Sequence, residues 1–444
     1  MSADQPKDAN DGPIRRILGN VGWLLGGKGF GAVSSLLYLA ILSRSLGVKD
    51  FGHFALIFGI SQAVCSLASF QTWQVIVRFG APHLAGRDDA AFGRLAVLGG
   101  LVDGAGALIG CVATILFMLS FGDLLEINPA YFDVALVFIC AMLWARVSAP
   151  YGIIRALDRF ELSVFIGAIT PAGRLIAATI IWLTGPTVVR FLIAWAAVEF
   201  VTAAAMWFAS WRLRPDLLKF SNLRDWRQTL SENKNLPSFL GVTYCTTSVY
   251  ALLQQGPLLA VGYLFGTSAA GVYRIADQLA KGLGKFALVL SDAVYPEVNR
   301  QIHERPADQF IKLVRHVSFF VVLVSVIVVG LAALIGDDVL LLIAGDQFSA
   351  GEILIVPLVL AASFELASVS YESVLHSVGR PQYHLFARLG SLIFLIIAIF
   401  VVDSNAALGV AWSVAAAQAF EYVVMTVIIS LVLRSLAKRG GNKV

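Results

Sequence analysis

Long apolar stretches alternate with short polar connections along almost the whole chain. A bilayer core is crossed by about 20 mostly apolar helical residues, and by this measure the pattern predicts twelve transmembrane helices. They cover residues 18–43, 51–78, 92–121, 131–156, 161–184, 188–211, 236–265, 269–297, 310–335, 350–377, 383–402 and 406–435. The stretches are too long and too uniformly apolar for barrel strands. The sequence therefore predicts an all-α polytopic membrane protein.

Basic residues are distributed unevenly between the two sides of this pattern. With the N-terminus on the inside, the inner segments hold twenty-four lysines and arginines, and the outer connections hold only Arg44, Lys49 and Arg190. Positively charged loops stay on the cytoplasmic side of a membrane. Both termini are therefore expected in the cytoplasm.

The longest polar connection lies near the midpoint of the chain and predicts two six-helix bundles. The expected organisation is a cytoplasmic tail (1–17), an N-terminal bundle (18–211), a basic cytoplasmic linker (212–235), a C-terminal bundle (236–435) and a second cytoplasmic tail (436–444).

A weak internal repeat supports this division. The segment Leu46-Gly47-x4-Gly52-x-Phe54 follows the first span, and Phe265-Gly266-x4-Gly271-x-Tyr273 follows the seventh. Two bundles with an even number of helices share one orientation in the membrane. A pseudo-two-fold axis along the membrane normal, with a central cavity between the bundles, is therefore expected.

The composition narrows the possible functions. Apolar residues make up 58% of the chain and charged residues 14%, so the chain lacks the polar surface that a soluble protein needs. A soluble enzyme and a nucleic-acid-binding protein are excluded. The four cysteines lie singly in apolar stretches and predict packing roles. No metal-ligand spacing, phosphate-binding loop or catalytic triad is found, so neither a cofactor nor catalysis is expected.

Span 8 carries many charges for a membrane helix, although each charge at mid-bilayer costs about 2.5–3.5 kcal/mol. Polar side chains recur along one narrow stripe at helical spacing, namely Arg274, Gln278, Lys281, Lys285 and Asp292. Asp277 lies at the edge of this stripe, where it could neutralise Arg274 or Lys281. Two interpretations stay open: ion pairs, including pairs with Glu365 and Glu372 of span 10, or a cationic lining for an anionic substrate.

Three cations of the N-terminal half, Lys28, Arg146 and Arg174, favour the cationic lining. The membrane spans also hold acids, so the total charge is not positive. Those acids are Asp103, Glu199, Asp277, Asp292, Glu365, Glu372 and Glu421. A cationic lining therefore requires that the acids are paired or peripheral.

Several motifs resemble a known transporter family. The segment from Leu42 to Phe54, Leu-x-Arg-x-Leu-Gly-x3-Phe-Gly-x-Phe, is similar to the first-loop signature of bacterial polysaccharide repeat-unit flippases of the Wzx type. These belong to the multidrug/oligosaccharidyl-lipid/polysaccharide (MOP) exporter superfamily. Arg78 at the end of span 2, Gly271-x-Tyr273-x3-Asp277 in span 8 and Gly379-Arg380-Pro381 after span 10 are similar too.

The resemblance implies a protein of the bacterial inner membrane that moves a polyprenyl-pyrophosphate-linked oligosaccharide between leaflets by alternating access. Its partners would be that substrate, membrane lipids, and the polymerase and chain-length proteins of surface polysaccharide synthesis. The residues expected to line a cationic cavity are Lys28, Arg78, Arg146, Arg174, Arg274, Lys281 and Lys285. Asp103 or Glu365 is the candidate for coupling to a proton or a sodium ion.

Three other functions stay open from the sequence. A drug or cation antiporter of the same superfamily commonly has an acid in span 1 or 7, whereas span 1 here carries Lys28 and span 7 has no acid. A major-facilitator sugar or drug symporter would have a Gly-x3-Asp-Arg-x-Gly-Arg pattern after span 2, and none is present. A non-transporting scaffold of polysaccharide assembly would tolerate neutralisation of the span 8 cations.

Overall fold

A computed structural model of the chain describes the backbone of residues 13–121, 128–146, 148–218, 220–302, 307–377, 382–401 and 407–439. Side chains are described for residues 29–120, 128–146, 148–217, 222–282, 322–368, 382–401 and 407–432, and for Tyr371 and Leu375. Lys28, Lys285, Asp292 and Glu372 lie outside these side-chain ranges.

The described residues form fifteen α-helices with short 3-10 turns between them and contain no β-strand, which confirms the all-α fold. The helices are α1 Pro13–Ala68, α2 Thr72–Ala85, α3 Asp89–Phe121, α4 Phe132–Ala145, α5 Ala149–Ala156, α6 Phe160–Gly167, α7 Ile169–Thr184, α8 Val188–Leu213, α9 Phe220–Arg224, α10 Gln228–Glu232, α11 Leu236–Ile302, α12 Ala307–Ala344, α13 Glu352–Ser377, α14 Gln382–Val401 and α15 Ala407–Arg439.

Ten apolar segments of the described chain are long enough to cross a membrane. Two of them, Gly29–Ala85 with 57 residues and Leu236–Gly282 with 47, exceed the length of one crossing. Each is divided at a glycine, Gly47 in α1 and Gly266 in α11. With both counted as two crossings, the segments agree with the twelve predicted spans, which are numbered below as in the sequence.

The two dividing glycines share one backbone conformation. Gly47 has φ 72° and ψ 174°, and Gly266 has φ 83° and ψ 177°. Glycine alone adopts this region without large strain, because a Cβ atom would clash with the backbone. The repeated Leu46-Gly47 and Phe265-Gly266 segments are therefore equivalent turns, each between the first and second span of its bundle.

The two repeated segments also cross each other. α1 and α11 make the most extensive contact of any two helices. At their crossing a Cβ on Gly271 would lie 3.0 Å from the Cα of Gly52, and a Cβ on Gly52 would overlap the carbonyl of Thr267. We call this contact the distal crossing, since it lies where span 1 ends, at the opposite end of the bundle from residue 29. The predicted orientation makes this end periplasmic.

The segment between the bundles is not an extended linker. A 3-10 turn over Pro215–Leu218 and the short helices α9 and α10 pack on α3. Arg94 of α3 pairs with Glu232, and the buried side chain of Asn222 donates a hydrogen bond to the carbonyl of Leu217. Hydrogen bonds to Asp216 and Asp89 raise the pKa of Arg214 further above its usual value. The predicted basic linker is therefore anchored on the N-terminal helices.

Candidate substrate pathway

Spans 2 and 4 are both interrupted inside the membrane. The continuous helices predicted over 51–78 and 131–156 are wrong here, because residues 69–71 separate α1 from α2 and residues 146–148 separate α4 from α5. Gln71 adopts φ 51° and ψ 43° at the first break, and Arg146 is extended at the second. Non-helical backbone at membrane depth is tolerated where it is buried in protein or lines an aqueous cavity.

The carboxylate of Asp103 in span 3 accepts hydrogen bonds from residues at both breaks. Its Oδ2 accepts hydrogen bonds from the backbone N–H groups of Ser148 and Ala149, at 3.0 and 2.7 Å. Its Oδ1 accepts a hydrogen bond from Oγ1 of Thr72 at 2.7 Å. Asp103 therefore caps α5 and contacts the first turn of α2, where its negative charge is favourable for both helix N-termini.

Arg146 carries the opposite charge at the same breaks. It is the C-cap of α4, and its Nη1 lies 3.4 Å from Oγ of Ser66, three residues before the break in span 2. A cation is favourable beside the C-terminal ends of helices, here those of α1 and α4. The side chain is nevertheless exposed, so it can also contact a ligand in the pathway.

The geometry of Asp103 leads to a prediction about its replacement. Asp103→Ala removes the acceptor for two backbone N–H groups and should destabilise the protein by about 1 kcal/mol. The midpoint of thermal unfolding in detergent measures this, with the exposed Asp133→Ala in the first turn of α4 as the control. Unchanged stability together with lost dependence of transport on protons or sodium would instead support the predicted coupling role.

Two of the predicted cavity cations form ion pairs. Nη2 of Arg174 lies 2.7 Å from Oε1 of Glu199, and the arginine is only 8% exposed. Nζ of Lys281 lies 2.9 Å from Oδ2 of Asp277, which is one of the two neutralisations that the sequence left open. These pairs leave little net charge for a substrate.

Four other arginines of spans 2, 4 and 8 have no carboxylate within 4.0 Å among the side chains described. Arg274 lies over the ring of Phe58 at 5.7 Å, and Arg78 lies over the ring of Phe239 at 4.5 Å. The other two are Arg146, described above, and Arg155 in the last turn of α5. We call Arg78, Arg146, Arg155 and Arg274 the unpaired arginines.

The unpaired arginines lie along the length of span 2. Arg274 contacts this span at Phe58, Arg146 at Ser66 and Arg155 at Trp73, and Arg78 belongs to the span itself. Eight residues of α1 separate Phe58 from Ser66, which corresponds to about 12 Å along a helix, and Trp73 lies beyond the break. We call the end of span 2 near Arg78 the proximal end, so arginines lie at intervals along span 2 from the proximal end toward the distal crossing.

The C-terminal bundle contains a second polar region. Gln254, Asp277, Lys281, Glu365 and Gln418 line a small cavity between α11, α13 and α15. Glu365 forms no ion pair with Arg274 or Lys281, the span 8 cations whose side chains are described. It accepts hydrogen bonds from Nε2 of Gln254 at 2.7 Å and from the hydroxyl of Tyr250 at 3.0 Å. Its predicted role in ion coupling stays a prediction.

Sequence reasoning missed Arg155, which it counted only among the cytoplasmic charges. Its guanidinium lies among three rings, those of Trp73, Tyr151 and Phe160. The aromatic residues at positions 151 and 160 flank Arg155 in the sequence, and this local pattern was the available signal. Lys28 and Lys285 lie outside the described side chains, so their predicted places in the cavity stay predictions.

Known proteins resemble this chain in sequence. Residues 17–301 match the family described as polysaccharide biosynthesis protein. The chain is also 26% identical over 294 residues to the inner membrane protein YghQ of Escherichia coli (strain K12), which covers 65% of this chain and 82% of that protein.

Solved structures of transporters share the fold. An inward-facing MATE multidrug resistance transporter of the MOP superfamily matches with a TM-score of 0.61 and 17% identity, over 92% of this chain and 96% of that one. The lipid II flippase MurJ in an inward closed conformation matches with a TM-score of 0.69 and 12% identity, over 93% of this chain and 89% of that one. The predicted MOP-type fold is therefore confirmed.

Proposed function

Because the chain belongs to the family of polysaccharide biosynthesis proteins, we propose that it is a flippase for a polyprenyl-pyrophosphate-linked oligosaccharide. It moves this substrate across the bacterial inner membrane by alternating access during the synthesis of a surface polysaccharide. Its similarity to an inner membrane protein and its MOP-type fold support a multi-pass transporter of this class. The sugar composition of the repeat unit depends on which surface polysaccharide the host synthesises.

The row of unpaired arginines carries this proposal. A pyrophosphate that crosses a low-dielectric region needs charge-assisted hydrogen bonds along its path. Arg274, Arg146 and Arg155 contact span 2 at successive levels and have no protein carboxylate as a competing partner among the described side chains. A neutral or cationic drug would gain nothing from such a row.

Four described acids of the membrane spans have partners other than the unpaired arginines. Glu199 and Asp277 each pair with one cation of their own. Asp103 caps α5 and accepts a hydrogen bond from the hydroxyl of Thr72 at the start of α2. Glu365 is hydrogen-bonded to an amide and a phenol. The sequence required the acids to be paired or peripheral, and these four have partners that leave the unpaired arginines positive.

The proposal predicts which lipid accumulates when the protein is depleted in its native host. Lipid-linked oligosaccharide should increase several-fold in membrane extracts, and surface glycan should fall, because synthesis on the inner leaflet continues without translocation. Mass spectrometry of extracted lipids measures the first quantity, and restored expression of the protein is the control. Unchanged lipid pools with increased drug sensitivity would instead identify an antiporter.

A further inference from the structure

We infer that Arg155, within the rings of Trp73, Tyr151 and Phe160, binds the pyrophosphate group of the substrate in the proximal part of the pathway. This inference rests on the proposed function, and it assigns a binding point to a residue that the sequence left among the loop charges. We call these four residues the arginine cage.

The geometry of the arginine cage orients the guanidinium. Its central carbon lies 4.5 Å from the ring centre of Tyr151, 5.1 Å from that of Trp73 and 5.6 Å from that of Phe160. Aromatic faces attract a guanidinium and restrict its orientation while leaving its N–H groups without acceptors. The cage therefore holds the cation without neutralising it.

No hydrogen-bond acceptor for Nε of Arg155 lies among the described residues. The side chain is partly buried, and its Nε is fully buried. An arginine has five N–H donors, and unsatisfied buried donors are costly. A pyrophosphate supplies several acceptor oxygens in a geometry that a planar guanidinium matches with two parallel bonds.

The neighbouring Arg159 shows that this arrangement is specific to position 155. Arg159 lies four residues later, between α5 and α6, and its Nε donates a hydrogen bond to Oε1 of Glu161 at 2.6 Å. Its side chain is 52% exposed. The chain thus places one arginine in a surface ion pair and leaves the other, nearer the membrane interior, for a ligand.

The arginine cage lies next to the break in span 2, because Trp73 belongs to both. Trp73 is in the first turn of α2, its backbone N–H donates to Oγ of Ser148, and its Nε1 donates to Oε1 of Gln71. α5 approaches α2 so closely that a Cβ on Gly152 would lie 2.7 Å from the Cα of Trp73. A pyrophosphate released from Arg155 therefore has Arg146 at the adjacent break as its next cation.

Binding of a soluble polyprenyl pyrophosphate tests this inference. Isothermal titration calorimetry would use the full-length protein in nanodiscs of zwitterionic lipid, with farnesyl pyrophosphate as the ligand and farnesyl monophosphate and inorganic pyrophosphate as comparisons. Arg155→Gln should weaken binding of farnesyl pyrophosphate about ten- to a hundredfold, as expected for the loss of charge-assisted hydrogen bonds. Arg155→Lys, which keeps the charge without the planar fork, should lie between wild type and Arg155→Gln.

Arg159→Gln is the matched control and should change the dissociation constant less than twofold. Thermal unfolding of each variant separates a binding defect from misfolding, and the Arg155→Lys variant repeats the test with the charge retained. The same loss for inorganic pyrophosphate would show that the cage recognises the diphosphate itself, whereas a loss confined to the farnesyl compounds would overturn that recognition.

Two results distinguish the inference from the function on which it rests. Equal binding of farnesyl pyrophosphate by the wild type and Arg155→Gln would overturn the role of the cage and leave the flippase proposal standing. A wild-type protein that binds no pyrophosphate compound would contradict both.

Discussion

Replacing Arg146 and Arg274 together with glutamine should reduce translocation of lipid-linked oligosaccharide more than a hundredfold. Each arginine can donate charge-assisted hydrogen bonds to the passing pyrophosphate, and the loss of such bonds costs about 1.5–3 kcal/mol per residue, or about 3–6 kcal/mol for the pair. Neither side chain has a carboxylate within 4.0 Å among the described residues, so the double substitution breaks no ion pair that the described residues contain. Surface glycan in a strain that depends on the variant measures the effect.

The matched control for this double variant removes a paired cation instead. Arg174→Gln combined with Glu199→Gln deletes both charges of the buried pair at once, and replacement of a buried ion pair by neutral groups is often tolerated. We expect at least half of the wild-type surface glycan from this variant, with an equal amount of protein in the membrane. Full activity of the Arg146 and Arg274 variant would rule out the pathway along span 2.

Gly52→Ala should open the distal crossing. An alanine in a helix usually stabilises a protein by up to about 1 kcal/mol relative to glycine, but here the new Cβ overlaps the carbonyl of Thr267 in a contact between two backbones. Overpacking of this kind costs about 1–3 kcal/mol. The crossing can relieve it only by separation of α1 from α11, so states that are open at the distal end gain population.

Labelling of an introduced cysteine measures this opening. Ser43 is fully buried at the end of span 1, nine residues before Gly52, and Ser43→Cys should react slowly with a membrane-impermeant maleimide added outside intact cells. Reaction should become several-fold faster in combination with Gly52→Ala. Gly256→Ala, where no atom lies within 4 Å of the new Cβ, is the control and should leave the rate unchanged. Equal rates in both variants would contradict a gating role for the crossing.

The repeat of Gly47 and Gly266 illustrates what local sequence predicts well. Both positions follow a long apolar span, and both need a conformation that only glycine adopts easily. Hydrophobic length and glycine placement are local properties, so they predicted the helices and the turns between them. The contact of Gly52 with the second bundle did not follow from them, because it joins segments more than 200 residues apart.

The breaks in spans 2 and 4 were not predicted from the sequence. Apolar residues continue on both sides of Gln71 and Arg146, so each span was predicted as one helix. Asp103, on another helix, satisfies two N–H groups at the break in span 4, and Ser148 accepts from the N–H of Trp73 at the break in span 2. An interruption at membrane depth would otherwise leave these groups unpaired. Such compensation between helices leaves no periodic signal in any one of them.

The sequence by itself determined that this is a helical membrane protein with two related halves. The number and length of its spans and the positions of its glycine turns depend only on local composition. It also identified most of the membrane charges. Only the tertiary structure decided which of them are paired, since Arg174 and Lys281 form ion pairs, whereas Arg146, Arg155 and Arg274 have no carboxylate within 4.0 Å among the described side chains. The physical reason is that the free energy of a buried charge depends on its nearest partners within a few ångströms, and those partners come from distant parts of the chain.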